Sequence, residues 1–340
     1  MKTAERLGYV LVGALGVLMG SSAYIVYKNT VTGFPVAASF FWMVCIGILA
    51  AFILPRDLKL LSQPGLSFKN GFTSLYRTPS IEGGVIRAFR RYGIWRTALN
   101  ATMYTMSFVC ILTALQSGQP GVVITLLVMG QLQPILSAIL GHLFLGDRVN
   151  RWPMYCLGAG TTLVGVTLYR YQMFVSQHIP AFDRVMVLAL TILALNTRNV
   201  IDAGFRRRLN ISQTDAVTVL MLSSTPIGFI WAMVEAGYGT FPIPNLSQGL
   251  GLVYLGVVPT VFGLVLQNIA RDKLGVATSE SIGNMRPAFA LALGVIPLSW
   301  FTLRHDAFNW VNYAGIALSI VGIIIVILFA RGEVRSVKAS

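Results

Sequence analysis

Arg286 is the residue that most demands an explanation. It belongs to Gly-Asn-Met-Arg-Pro (Gly283–Pro287), inside a long apolar stretch, and a related pentapeptide, Gly-Gln-Leu-Gln-Pro (Gly130–Pro134), sits inside another. An arginine at the centre of a bilayer costs about 2.5–3.5 kcal/mol on insertion scales, so it needs a partner or a ligand. Its forked donors suit a carboxylate or a phosphate. The competing role is a structural pair, with an acid or with carbonyls freed at a bend. Proline supplies the bend: it has no N–H, and its ring clashes with the carbonyl four residues back, that of Gly130 or Gly283. In hydrocarbon a freed carbonyl must be served by protein or water, so each motif predicts a kink beside a wet central cavity. Gln131 and Gln133 lie two residues apart and point to nearly opposite helix sides, as do Asn284 and Arg286. Only one of each pair can face a shared cavity squarely.

Other polar residues extend this set. Asn100 and Tyr104 are one turn apart and can line the cavity or join helices. Glu280 is the acid nearest to Arg286 but faces another side of the helix. It is a candidate for proton coupling if burial raises its pKa, or for a gate or helix-start residue. Arg198 and Asp202 have i,i+4 spacing and can pair along one face; they read as a structural pair or an inner gate before they read as ligands. Asn196, Asn199 and Gln267 can line the cavity or bond neighbouring helices. Tyr27 and Lys28 read as an interfacial anchor. Cys45, Cys110 and Cys156 are single and lie in apolar stretches, which argues against a disulfide or metal framework. His142, His178 and His305 show no ligand spacing. No cofactor and no metal is expected.

These residues must be positioned by helices in a membrane. The 340 residues are 55% hydrophobic and only 11% charged, against roughly 25% charged in a soluble protein. Leu7–Tyr27, Val36–Leu54 and Val122–Gly141 contain no Asp, Glu, Lys or Arg, and each reaches the ~20 residues that cross a bilayer. Ten spans are predicted: Leu7–Tyr27, Phe34–Leu54, Ile94–Leu115, Val122–Leu145, Trp152–Tyr169, Val185–Phe205, Ala216–Ala236, Gly249–Ile269, Ala277–Phe301 and Trp310–Phe329. The first has the look of a signal peptide, but its apolar run continues to Tyr27 and a second span follows at once. The net charge of +14 is distributed by side rather than gathered for nucleic acid. With ends and loops alternating, one side holds nearly all of the basic residues and the other only Lys28, Arg170, Arg184 and Arg304. Basic loops stay cytoplasmic, which predicts both termini in the cytoplasm.

The chain also reads as a duplication. After the first pentapeptide come Trp152, Gly158, Thr162 and Gly165; after the second come Trp310, Gly315, Ser319 and Gly322. The Gly-x3-Ser/Thr-x2-Gly spacing is the same in both, and these glycine faces predict close helix packing. Five spans per half is an odd number, so the second half would enter the membrane inverted, as in many secondary transporters. The main asymmetry is Pro55–Trp95, whose last part, Val85–Trp95, can form a basic amphipathic helix on the inner leaflet.

The stretch QPILSAILGHLFLGDRVNRWPMYCLGAGTTLVGV (Gln133–Val166) resembles the drug/metabolite transporter superfamily in its EamA-like branch. RPAFALALGVIPLSWFTLRHDAFNWVNYAGIALSIVGI in the second half is similar to the same pattern. Asp147 stands where that family commonly has Glu, and Leu303–His305 replace the acid-bearing loop in the second half. The resemblance implies an all-α integral membrane fold with ten transmembrane helices as two inverted five-helix repeats: residues 1–170, with a cytoplasmic insertion at 55–94, and residues 171–340. It implies a secondary transporter of the bacterial inner membrane, not an enzyme, working by alternating access around a midplane site. The expected substrate residues are Gln131, Gln133, Asn284, Arg286, Asn100 and Tyr104, with Glu280, Arg198 and Asp202 in coupling or gating. The expected activity is export of small polar or amphipathic metabolites such as amino acids; the alternative is uptake or exchange of an anionic metabolite or nucleotide-like cofactor. A membrane-embedded enzyme would need a reactive constellation, and the residues offer no metal cluster and no nucleophile with a base; a non-transporting scaffold or receptor is the remaining alternative. Expected partners are a small-molecule substrate and membrane lipids, with proton coupling and a homodimer left open, and no nucleic acid.

Overall fold

The computed structural model describes residues 3–53, 81–116, 130, 132–149, 151–169, 182–209, 211–286, 289, 293, 310–329 and 332–333. The elements in chain order are α1 (Thr3–Val26), α2 (Val36–Ile53), α3 (Ile81–Tyr92), α4 (Ile94–Gln116), α5 (Gln133–Leu145), β1 (Arg148–Val149), α6 (Trp152–Tyr169), α7 (Phe182–Leu209), α8 (Gln213–Glu235), α9 (Leu246–Leu255), α10 (Leu264–Leu274), α11 (Val276–Gly283), α12 (Trp310–Phe329) and β2 (Gly332–Glu333). Apart from the two-residue antiparallel pair β1–β2, the regular elements among the described residues are helices.

Among the described residues, six helical stretches are long and apolar enough to cross a membrane: Glu5–Val31, Ile94–Ala114, Met186–Leu209, Gln213–Glu235, Leu246–Leu274 and Trp310–Leu328; Val36–Phe52 and Gln133–Leu145 are shorter apolar helices. The protein is therefore a multi-pass membrane protein. The expected fourth and ninth spans are described in part, residues 130 and 132–145 of the fourth and 277–286, 289 and 293 of the ninth. The sixth and eighth spans run further than hydropathy predicted. The sixth continues past Phe205 to Leu209, because Arg206, at its end, is buried and paired rather than held in water. The eighth runs from Leu246 to Leu274, through a π-helical stretch at Gly256–Gly263. Pro259 lies inside that stretch and cannot donate to the Leu255 carbonyl four residues back. The Thr260 hydroxyl donates to it instead at 2.7 Å, so the bend leaves that acceptor satisfied.

Around the main core, α1 packs on α10, and α2 packs on α8 and on the π-helical stretch. At one end, Glu235 closes the junction of α8 and α2: the Val36 and Ala37 amides donate to its two carboxylate oxygens at 2.9 and 2.7 Å. An acid at a helix N-terminus meets both the orphan donors and the favourable end of the dipole.

The two glycine faces meet each other. A Cβ on Gly158 would lie 2.6 Å from the Gly322 carbonyl oxygen, and one on Gly165 would lie 2.5 Å from that of Gly315. The earlier glycine of α6 faces the later one of α12 and the reverse, so the helices run antiparallel with backbones in direct contact. Thr162 and Ser319 fold their hydroxyls back onto the carbonyls of Gly158 and Gly315, each at 2.9 Å, and so bury no unserved donor.

Candidate functional site

A helix begins within the first polar pentapeptide and another ends within the second. α5 begins at Gln133 with Pro134 in its first turn, where the missing N–H costs nothing. The Pro134 carbonyl accepts the Tyr155 hydroxyl at 2.5 Å. In the second motif α11 ends at Gly283, and Asn284 and Met285 bond back three residues, to Ser281 and Ile282, at 3.2 and 3.0 Å. Gln131 and Pro287 lie outside the described residues.

Gln133 and Arg286 line one internal cavity of about 120 Å³, together with Tyr104, Arg198, Gln267 and Arg271. That volume holds several waters or part of a small solute. The walls come from both ends of the sequence, from α1 and α2 to α10 and Arg286. Arg198 lies near the middle of the Met186–Leu209 span, deeper than its neighbourhood of arginines in sequence suggested. Its Nε donates to Asn100 at 2.9 Å and its Nη1 to Asn199 at 3.0 Å. Its guanidinium lies 5.1 Å from the Tyr104 ring centroid, a cation–π distance. The Tyr104 hydroxyl is buried and, among the described residues, has no hydrogen-bond partner.

Arg271 and Glu280 form a buried ion pair at 2.9 Å, with both side chains under 5% exposed. Arg271 also donates to Asn268 at 3.0 Å and Gln267 at 3.3 Å, and Asn199 donates to Glu280 at 3.3 Å. Among the described residues three arginines thus reach the cavity, and Glu280 neutralises one; no Asp or Glu among them lines the cavity or lies within ion-pair distance of Arg198 or Arg286. The balance of the described wall is positive, in a setting where low dielectric strengthens each charge.

Several expected residues fall elsewhere. Asn284 is buried beside the break and does not line the cavity. Asn100 sits behind the wall, joining Arg198 to Asp202, to which it donates at 3.1 Å. The expected Arg198–Asp202 pair does not form. Asp202 pairs instead with Arg206, the arginine one turn later, which is the orientation favoured in a helix, acid first and base four residues on. Tyr27 is no interfacial anchor: the π-helical turn Tyr27–Val31 continues α1 and carries it into the cavity wall, 3% exposed and accepting from Gln116 at 2.7 Å. Asn196 is fully buried, accepting from Ser137 at 2.7 Å in a helix–helix contact.

Below the cavity lies a second charged cluster. Arg206 bridges Asp202 and Asp272, the latter at 3.0 Å. Arg207 reaches Asp147 at 2.8 Å and the Arg271 carbonyl at 2.6 Å. Gln213 and Tyr92 donate to Asp272 and Asp202, each at 3.0 Å. Sequence reasoning placed Arg206, Arg207 and Arg271 among the basic residues that set orientation. Their signal was local: Gln267, Asn268 and Arg271 recur at helical spacing on one face of the eighth span.

The described residues thus form a multi-pass helical protein whose cavity is lined by arginines. Residues 203–328 match the EamA-like transporter family, within the drug/metabolite transporter superfamily. A solved crystal structure whose title names no activity has the same fold, with a TM-score of 0.66 and 16% identity over 95% of this chain and 97% of that one. No curated protein matches the sequence.

Proposed function

We propose that the chain is a secondary carrier of small organic anions, substrates bearing a carboxylate or phosphate beside an apolar or aromatic part. The observation that carries this reading is the unequal charge of the cavity: Arg198 and Arg286 face it without a carboxylate recorded beside them, and the acid nearest the wall, Glu280, is engaged by Arg271. An amino acid would find partners for its carboxylate, but no acid among the described lining residues for its ammonium. Of the two substrate readings drawn from the sequence, the anionic one is therefore preferred. Tyr104 adds an aromatic face and a free hydroxyl for orientation.

Transport would proceed by alternating access, with two inverted halves, 1–170 and 171–340, exchanging conformation around this site. Supporting that architecture, matched glycine motifs of the two halves pack against each other antiparallel. Ten spans, a bacterial inner-membrane location and cytoplasmic termini belong to the same reading, on the strength of the charge distribution. The test is a thermal-shift screen of purified protein against carboxylates, phosphate esters, zwitterions and amines, followed by counterflow in liposomes with the compounds that stabilise it. Stabilisation by anions alone supports the proposal; stabilisation by amines or neutral solutes, with none by anions, rejects it.

A further inference from the structure

α3 carries three distinct surfaces. Val85, Ala88 and Tyr92 are buried in a cluster with Ile211, Ala216 and Val219 at the junction of α7 and α8. Successive helix residues turn by about 100°, so Ile86 and Phe89 form a second arc beside this face, and Arg87, Arg90 and Arg91 form a third, opposite it. Ile86 and Phe89 are 53% and 40% exposed, and the three arginines are exposed. Gly93, at φ +75°, breaks the helix and turns the chain into α4. There Ile94 and Trp95 continue the exposed apolar surface, at 67% and 85%, and Arg96 stacks 4.7 Å from the Phe205 ring centroid. One arc faces protein, one is apolar and one is cationic, beside the arginine-bearing end of a spanning helix. That is the arrangement of a helix lying at the level of lipid headgroups.

The inner surface of α3 also reaches the charged cluster. The Tyr92 hydroxyl donates to Asp202 at 3.0 Å, and Arg91 donates to the Leu209 carbonyl at the end of α7 at 2.8 Å. Burial raises the Tyr92 phenol pKa, so it remains a donor. Asp202 in turn joins Asn100, and through it Arg198 on the cavity wall.

We propose that α3 is an anionic-lipid latch: Arg87 and Arg90 hold phosphate headgroups of the adjacent leaflet, Ile86 and Phe89 enter its acyl boundary, and the docked helix holds the Asp202–Arg206 cluster through Tyr92. The occupant is a lipid leaflet rather than a peptide, because cationic and apolar arcs lie side by side along the helix and the apolar one continues onto the spanning α4. The latch does not depend on which solute the cavity takes.

The test is hydrogen exchange on the full chain in nanodiscs of phosphatidylcholine, with or without phosphatidylglycerol. Phosphatidylglycerol should slow exchange over residues 85–92 by about fivefold for each arginine engaged, and slow residues 199–206 with them. R87Q/R90Q should remove the difference between lipids, and R87K/R90K should restore it. Y92F should keep the lipid effect in α3 and lose it at 199–206. Equal exchange in the two lipids, which needs no variant to observe, would overturn the proposal. So would a full lipid effect in R87Q/R90Q, or slowing at 199–206 that survives Y92F.

Discussion

Arg286 and Glu280 make the sharpest residue-level contrast. Arg286 is half-buried on the cavity wall, with no ion-pair partner among the described residues, whereas Glu280 is held by Arg271 and Asn199. Replacing Arg286 with Gln should abolish anion-induced thermal stabilisation and counterflow while the protein remains monodisperse and its melting temperature without ligand changes little. Intact transport in that variant contradicts the assigned role, and loss of the folded protein points to structural pairing instead. Glu280→Gln should behave differently. It keeps shape and an acceptor but leaves the Arg271 guanidinium buried without its counter-charge, a change that costs about 3 kcal/mol when a buried pair is broken. The expected result is a markedly lower melting temperature without ligand, measured by scanning fluorimetry.

The elements show how polar chemistry is kept inside an apolar bundle. Pro134 and Pro259 each sit where a helix begins or widens, and the carbonyls beside them are served by Tyr155 and Thr260 hydroxyls. The α6–α12 contact shows the complementary device, in which glycine lets two backbones touch. Gly165→Ala should be among the most damaging of small substitutions, since its Cβ would meet the backbone of Gly315 and Ser319 at 2.5 Å. Relieving such overpacking by backbone shifts costs about 1–3 kcal/mol. The check is the melting temperature beside Gly160→Ala, a position of the same helix with open space around its Cβ, which should be near neutral.

At the scale of the molecule, the cavity lies between the Glu235 closure at one end and the Asp202–Arg206–Asp272–Arg207–Asp147 cluster at the other. The charged cluster ties α7, α10 and the α5–β1 turn together. In the alternating-access reading proposed above this end opens and closes, and its ion pairs would set the cost of opening. Asp147→Asn should weaken this closure, raising hydrogen exchange at residues 204–209 without changing which anions stabilise the protein. Unchanged exchange there would mean that the Arg207–Asp147 contact does not restrain the end of the bundle.

What the sequence settled by itself was whatever depends on local chemistry. Long apolar runs define membrane helices because backbone groups in hydrocarbon must bond within the segment. Proline beside glycine marks a break wherever it falls, and paired glycine spacing marks close contact. The EamA-like resemblance was legible for the same reason, since motif residues sit together in the chain. The ion-pair assignments were not. Asp202 has an arginine one turn away on either side, so spacing alone did not choose Arg206 over Arg198. Arg271 looked like one more charge at a helix end. Only tertiary packing, which brings Asn100, Asp272 and Glu280 from distant segments, decided which charges cancel and which are left facing the cavity.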